Sequence, residues 1–237
     1  MRPETSVIIP VRNGARFVGE AIASVLAQRR DGDEVLVIDD GSTDETPIVL
    51  AGFAHPALRT LSGGGRGVSA ARNMGLAASC GAFIAFLDHD DIWPAGRQDA
   101  LTMALQQDED LDAVFGRIER RIEPGAPVTA ESRVQGHHAP WLVGSGLFRR
   151  RLIERIGGFA EDMQQGEDLD FHQRLVEAGM RVSLCEVSGL VRRHHGTNTT
   201  NDQTLAEPWR LDVLRRKLAR AKASPAANRP AAKRPSD

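Results

Sequence analysis

The N-terminal half of the chain alternates between two hydrophobic rhythms. "SVIIPV" (6–11), "EVLVIDDGS" (34–42) and "AFIAFLD" (82–88) are short runs, apolar almost throughout and rich in β-branched or aromatic residues. That pattern predicts strands buried on both faces. "LRTLS" (58–62) is a further strand candidate. Between these runs the period lengthens. Phe17, Ala21 and Val25, with Val18, Ile22 and Leu26, recur every fourth residue, so a helix over about 15–28 carries them on one face. "STDETPIVLAGF" predicts a second helix, with Ser42 or Thr43 as N-cap and acids in its first turn. "GVSAARNMGLAAS" predicts a third, built from small residues. Strands and helices that alternate in this way form a mostly parallel sheet covered on both faces. Ligands then bind beyond the carboxyl ends of the strands. Asp39 and Asp40 end one strand and Asp88 to Asp91 follow another, so both acidic clusters are expected at one rim.

The second half keeps the alternation less strictly. A helix should run from Pro94 to about Asp108, followed by a strand at "DAVFGRIER" (112–120). "RRLIERIGGF" predicts a short helix closed by Gly157 and Gly158, and "GEDLDFHQRLVEAG" a longer one ended by Gly179. "RVSLCEV" and "GLVRRHH" read as two late strands. "PWRLDVLRRKLARA" is a basic helix with an apolar stripe (Leu211, Leu214, Leu218, Ala221), and "SPAANRPAAKRPSD" has the composition of a disordered tail.

At 237 residues the chain is long enough for one α/β domain with a core and a tail. No apolar run approaches a membrane span, and Pro10 and Asn13 break the N-terminal stretch too early for a signal peptide. Two cysteines without metal-like spacing predict buried thiols in a reducing, cytoplasmic protein. The net charge of −2 hides an asymmetry. Residues 208–237 carry nine Lys+Arg against two Asp+Glu, which leaves 21 basic and 30 acidic side chains for the rest. All three lysines (Lys217, Lys222, Lys233) lie in that tail. The body therefore lacks the lysine of a Walker-type phosphate loop and of Schiff-base chemistry. "SGGGRG" (62–67) accordingly reads as a flexible loop.

The cluster Asp88-His89-Asp90-Asp91 needs a positive partner, because close carboxylates repel and are costly to desolvate. A divalent cation that also holds substrate phosphates is the economical one. If the strand continued, Asp88 and Asp90 would point the same way. Helix capping by Asp90 or Asp91 is the plain alternative.

Taken in order, "SVIIPVRN", "VLVIDDGSTDET", "GVSAARNMGLAAS", "GAFIAFLDHDDIW" and "GGFAEDMQQGEDLDFHQRL" resemble family 2 of the glycosyltransferases. The resemblance runs from about Thr5 to Asn198. It implies the GT-A fold, an α/β domain over 1–207, and an inverting, hexosyltransferase-type enzyme that uses a nucleoside-diphosphate sugar. It also implies Mn²⁺ or Mg²⁺ as cofactor, a UDP-sugar as first choice of donor, an unidentified hydroxyl acceptor and no nucleic-acid partner. Asp40 then resembles the base-reading aspartate, Pro10 lies where the base edge is contacted, and Arg72 resembles the arginine closing the base or ribose pocket. Asp88 and Asp90 match the D-x-D positions near the ribose and on the cation. Asp168 matches the catalytic base, with Glu167 beside it. His195 resembles a late metal-side histidine, for which His194 competes. The acceptor region falls at about 134–149, with Trp141, Gly144 and Ser145, plus the loop at Phe159.

Departures from the pattern are His89 in the middle of D-x-D, where a side chain pointing away would be tolerated, and a short segment after the "GED" helix. Alternative readings are a non-catalytic sugar-nucleotide-binding relic of the same fold, or a receiver-type signalling domain. The second needs a strand-end lysine that the body lacks. The basic segment 208–237 could make a peripheral contact at the inner face of a membrane, or its helix could pack on the catalytic body.

Overall fold

A computed structural model describes residues 4–128, 136–139, 142–163, 165–196, 198 and 206–223. Trp141 and the tail after Ala223 lie outside the described residues. The sheet order is β3-β2-β1-β4-β7-β5-β6, with β8 also on β5. β1 (Thr5–Val11), β2 (Glu34–Asp39), β3 (Leu58–Ser62) and β4 (Phe83–Phe86) form the parallel part, with β1 between β2 and β4. β7 (Gly146–Arg149) runs antiparallel to both β4 and β5 (Ala113–Ile122). The short β6 (His137–His138) is antiparallel to β5, and β8 (Val182–His194) is parallel to it.

Every residue of β1 is buried, and alternation along it splits the core. Val7, Ile9 and Val11 face α1 (Val18–Leu26), α2 (Thr46–Ala51) and α4 (Arg97–Gln107), meeting Ile22, Val25, Leu50 and Leu101. Ile8, with Leu36 and Ile38 of β2, faces α3 (Val68–Ala78), α5 (Arg150–Ile156) and α6 (Glu167–Glu177), meeting Ala71, Leu152 and Phe171. The small residues of α3 have a packing cause. A Cβ on Gly75 would lie 2.4 Å from the Ile8 side chain, so glycine lets α3 approach the central strand.

Four expectations need correction. α2 starts at Thr46 with no side-chain cap and no acid in its first turn. The two residues expected to cap it serve the β1–α1 loop instead: Ser42 Oγ accepts from Asn13 N–H, and Thr43 Oγ1 donates to Asn13 Oδ1, while Asp44 accepts from both Ala15 N–H and Thr46 N–H. The two late strands are one, β8, because Gly116 and Gly189 let the backbones of β5 and β8 meet through a register irregularity. A Cβ on Gly116 would lie 2.6 Å from the Gly189 backbone. Neither thiol is buried: Cys80 is exposed and Cys185 partly so. The glycine run 63–67 has a definite conformation, with Gly64, Gly65 and Gly67 at positive φ, where a side chain would be strained.

α7 (Ala206–Ala223) packs on α6. Val213 is buried, Trp209 lies against Gly166, and Arg216 and Arg220 reach Asp162, Asp170 and Glu177. No helix among the described residues is long and apolar enough to cross a membrane.

Candidate active site

Both acidic clusters do meet at the carboxyl rim of the parallel strands. Asp40 N–H donates to Val11 O, and Leu87 N–H to Ile8 O, which places the two strand ends on either side of β1. Asp39 caps its own turn by accepting from Ser42 N–H. Asp40 is buried and holds the glycine loop: its two carboxylate oxygens accept from Arg66 N–H at 2.9 Å and Gly67 N–H at 2.7 Å. A carboxylate has about four lone-pair sites, so this leaves acceptor capacity for a ligand. Pro10 is buried in β1 opposite Ile38.

β4 ends at Phe86, and the next residues turn instead of extending: Asp91 N–H bonds Asp88 O at 3.0 Å. Asp88 and Asp90 therefore do not share one face of a continuing strand; they reach different partners. Asp88 Oδ1 accepts from Arg72 Nη2 at 2.7 Å. Asp90 Oδ2 pairs with His195 Nε2 at 3.0 Å and Asn198 Nδ2 at 3.3 Å. Asp91 is buried and accepts from Arg193 N–H. His89 packs on the β1–α1 loop, so closely that a Cβ on Gly14 would meet its ring at 2.3 Å. His194 reaches Arg120 instead.

Arg72 is the centre of the site. It is 1% exposed, in the first half of α3, and gathers three carboxylates from two distant segments of the chain. Its Nη1 donates to Glu167 at 2.9 Å and Asp168 at 2.6 Å, and its Nη2 to Asp88. Its guanidinium also lies 5.0 Å from the centroid of Phe159. Phe159 is stacked on Phe171 of α6 at 4.5 Å. Asn73, next in α3, clamps the Phe159 backbone through both its amide groups, and Gly158 leaves the space for it.

These contacts set the proton affinities. Burial pushes the Asp168 carboxyl up to about 8; Arg72 pulls it down, while Glu167 and Asp88 push it up further. Asp168 keeps 19% of its side-chain surface, so water screens part of this shift. Burial would raise Asp90 too, but the His195 hydrogen bond and the charges of His89 and His195 bring it below the ordinary carboxylate value. Asp91 is held well above that value by burial and by Asp90 and Asp88. The same three carboxylates outweigh the burial of Arg72 and keep it firmly protonated.

Gly144 and Ser145 are buried, in a one-turn 3₁₀ helix (Val143–Ser145). Ser145 is 0% exposed and its Oγ donates to Leu142 O, at the entry to β7. Arg97 braces them from behind through Gly144 O and Gly146 O. Residue reasoning missed Asn73, Arg193 and Asn198. Arg193 is 1% exposed, and its side chain donates to Asp90 O, Glu20 and Phe17 O, tying the acidic turn to α1. Asn73 and Asn198 stand inside the motifs "AARN" and "HGTN", which is the signal that could have found them. Arg193, in a run of basic and histidine residues, has no such signal. Among the described residues no three His, Cys or acidic side chains converge closely enough to cage a metal by themselves.

An α/β protein with a rim of this kind belongs with the nucleotide-diphospho-sugar transferases of GT-A fold. The chain is a member of glycosyl transferase family 2, whose model matches residues 6–176. A curated relative, the pre-mycofactocin glycosyltransferase of Mycobacterium tuberculosis, is 34% identical over 82% of this chain and 43% of its own length. The chain spans about 43–64% of the length of two such curated relatives. TarS of S. aureus, solved with UDP-GlcNAc, superposes with a TM-score of 0.69 at 19% identity, over 96% of this chain and 74% of that one. Glucosyl-3-phosphoglycerate synthase of M. tuberculosis, solved with Mn²⁺, UDP and phosphoglyceric acid, gives 0.66 at 20% identity, over 91% and 78%.

Proposed function

We propose that this protein is an inverting, metal-dependent glycosyltransferase of the hexosyltransferase type. It moves a sugar from a nucleoside-diphosphate sugar, with UDP-sugar as first choice, to an acceptor hydroxyl. The observation that carries this reading is the gathering of Asp88, Glu167 and Asp168 on one buried arginine, beside the Asp90–His195 pair, at the carboxyl rim of the sheet. The acids come from two separate segments, the turn after β4 and the start of α6, and structural packing alone gives no reason to concentrate them there. The bound UDP-GlcNAc of TarS and the Mn²⁺ and UDP of the synthase support the donor class and the cation.

In this reading Asp168 accepts the proton of the acceptor hydroxyl while that oxygen forms its bond to the anomeric carbon. The bond from that carbon to the diphosphate oxygen breaks, and its electron pair leaves with the nucleoside diphosphate. One displacement inverts the centre. A carboxyl raised by burial is a stronger base than a free aspartate and is poised near working pH. Glu167 shares the Arg72 guanidinium and shapes the start of α6. Asp40 and Pro10 border the nucleotide, Asp88 and Arg72 the ribose side. Asp90 and His195 would hold Mn²⁺ or Mg²⁺ together with phosphate oxygens; the carboxylate suits both ions, and the imidazole nitrogen favours Mn²⁺ over the oxygen-seeking Mg²⁺. When bound, the ion supplies countercharge for the departing diphosphate. The peripheral membrane contact of the C-terminal helix belongs to the same reading.

A panel of nucleotide sugars, scored for slow hydrolysis with and without Mn²⁺, tests this without knowledge of the acceptor. One donor should be hydrolysed in Mn²⁺, and Asp90→Ala should lose metal-dependent binding of the matching nucleoside diphosphate in calorimetry. Absence of nucleoside diphosphate binding with or without metal would sink the reading. Equal metal-dependent affinity of the two proteins would remove Asp90 from the cation.

A further inference from the structure

α7 has two faces with opposite roles. The inner face, Trp209, Val213, Arg216 and Arg220, is spent on α6. Val213 is buried, and both arginines are ion-paired with acids of the body or the helix itself. The outer face carries Leu211, Leu214 and Leu218, which are 55%, 49% and 52% exposed. Spacings of three and four residues put them in one stripe. At about 100° per residue, Arg210 and Lys217 lie along one margin of that stripe, Arg215 and Lys222 along the other. All four cations are exposed, and none forms an ion pair among the described residues. The one acid between Trp209 and Ala223 is Asp212, which is tied to Arg216. From Trp209 to Ala223, a leucine stripe bordered by cations on both margins, with no acid on that face, is the surface expected of a helix lying in an anionic lipid interface. The sign of the charge argues against a second copy of this chain as occupant, because two such faces would bring eight cations together.

We propose that the outer face of α7 docks on an anionic membrane, with the three leucines at the acyl boundary and the four cations among the headgroups. Arg229, Lys233 and Arg234 further along the sequence carry the same sign. The placement bears on the site. Trp209, at the head of α7, packs on Gly166, the residue before Glu167 and Asp168. The docking face is therefore one helix thickness, about 10 Å, behind the helix that carries the proposed base. Resting on the transferase reading, this assigns the acceptor to the class of membrane-borne, lipid-linked hydroxyls.

The test is co-sedimentation of the full chain with vesicles of phosphatidylcholine alone or mixed with phosphatidylglycerol. The wild type should bind the mixed vesicles, release at high salt, and leave the neutral ones unbound. Leu211→Gln/Leu214→Gln/Leu218→Gln should lower the affinity at least about 10-fold with its helical circular dichroism intact. Arg215→Gln/Lys222→Gln should lower it by about fivefold per cation. Wild type that stays in the supernatant, or a leucine variant that binds as well as wild type, overturns the proposal. So does self-association of the wild type that the leucine variant abolishes without any vesicle binding. Donor hydrolysis in free solution is read separately: its absence in both proteins counts against the transferase reading, while partition onto vesicles still decides the role of α7.

Discussion

Arg72 and Arg97 are both buried to within 1% of their surface, yet their surroundings are opposite. Arg72 faces three carboxylates. Arg97 faces no acid: it donates to Gly189 O at 3.1 Å, Gly146 O at 2.6 Å, Gly144 O and Gln98, and lies 3.9 Å from the Trp93 ring centroid. Burial without a countercharge pushes Arg97 down to about 9, so it stays protonated at neutral pH. Around Arg97 the partners are neutral dipoles that join β7, β8 and α4, and the outcome is a clamp. Around Arg72 the acids exceed the cation, and the outcome is a rim with negative charge to share. The two guanidinia are equally buried, and it is the charge of their partners that separates the clamp from the candidate site.

The largest effect expected along this contrast is on turnover. Asp168→Asn keeps size and polarity but cannot take a proton, so turnover should fall about 10²–10⁴-fold with donor Kd unchanged. Glu167→Gln is the control on the same guanidinium and should cost less. A folded Asp168→Asn protein with near-normal turnover would remove Asp168 from the mechanism and promote Glu167.

Arg72→Met comes next. It strips the cation from three part-buried acids, a change that costs about 3–5 kcal/mol where a buried pair is broken. The sign of its pH dependence follows from the acids left behind. Asp168 already stands at about 8 beside Arg72, and removal of the cation raises it further, so the pH-dependent part of the penalty grows as pH rises through about 8 and is absent on the acid side. Urea unfolding across pH should show the variant approaching wild type on the acid side. A gap that stays constant would mean that the acids are not repelling one another.

Arg97→Met should cost somewhat less, about 2–4 kcal/mol, because it orphans carbonyls and leaves no buried charge. Its gap from wild type should be flat from neutral to mildly acid pH, since Arg97 titrates well above that range. Donor binding by the folded fraction should persist. A pH-dependent gap would show that an acid does couple to Arg97.

Much of the framework was legible in the order of residues. The strands and the shared rim follow from short-range periodicity, which needs only the chain's own neighbours. The choice of Asp40 over Asp39 comes from the family resemblance of the ordered motifs, not from that periodicity. The helix caps were not legible. Ser42 and Thr43 have side chains able to cap α2, but Asn13 of the β1–α1 loop offered partners across space and took them. Local propensity loses wherever a tertiary partner competes for the same oxygen.

The sequence by itself determined which acids exist at the rim and that they required positive charge. Only the tertiary structure decided who supplies it. Asp88 and Asp90, two residues apart, part company because the chain turns after β4: one goes to Arg72 of α3, the other to His195 beyond β8. It also decided that His195 and not His194 reaches Asp90, since neighbouring residues at a strand end point to opposite sides and a one-residue shift reverses them. The basic helix was expected to contact a membrane or to pack on the body, and the tertiary structure decided the packing: one face of α7 lies on α6, and since side chains leave a helix all the way round its axis, the leucine stripe stays outside that contact.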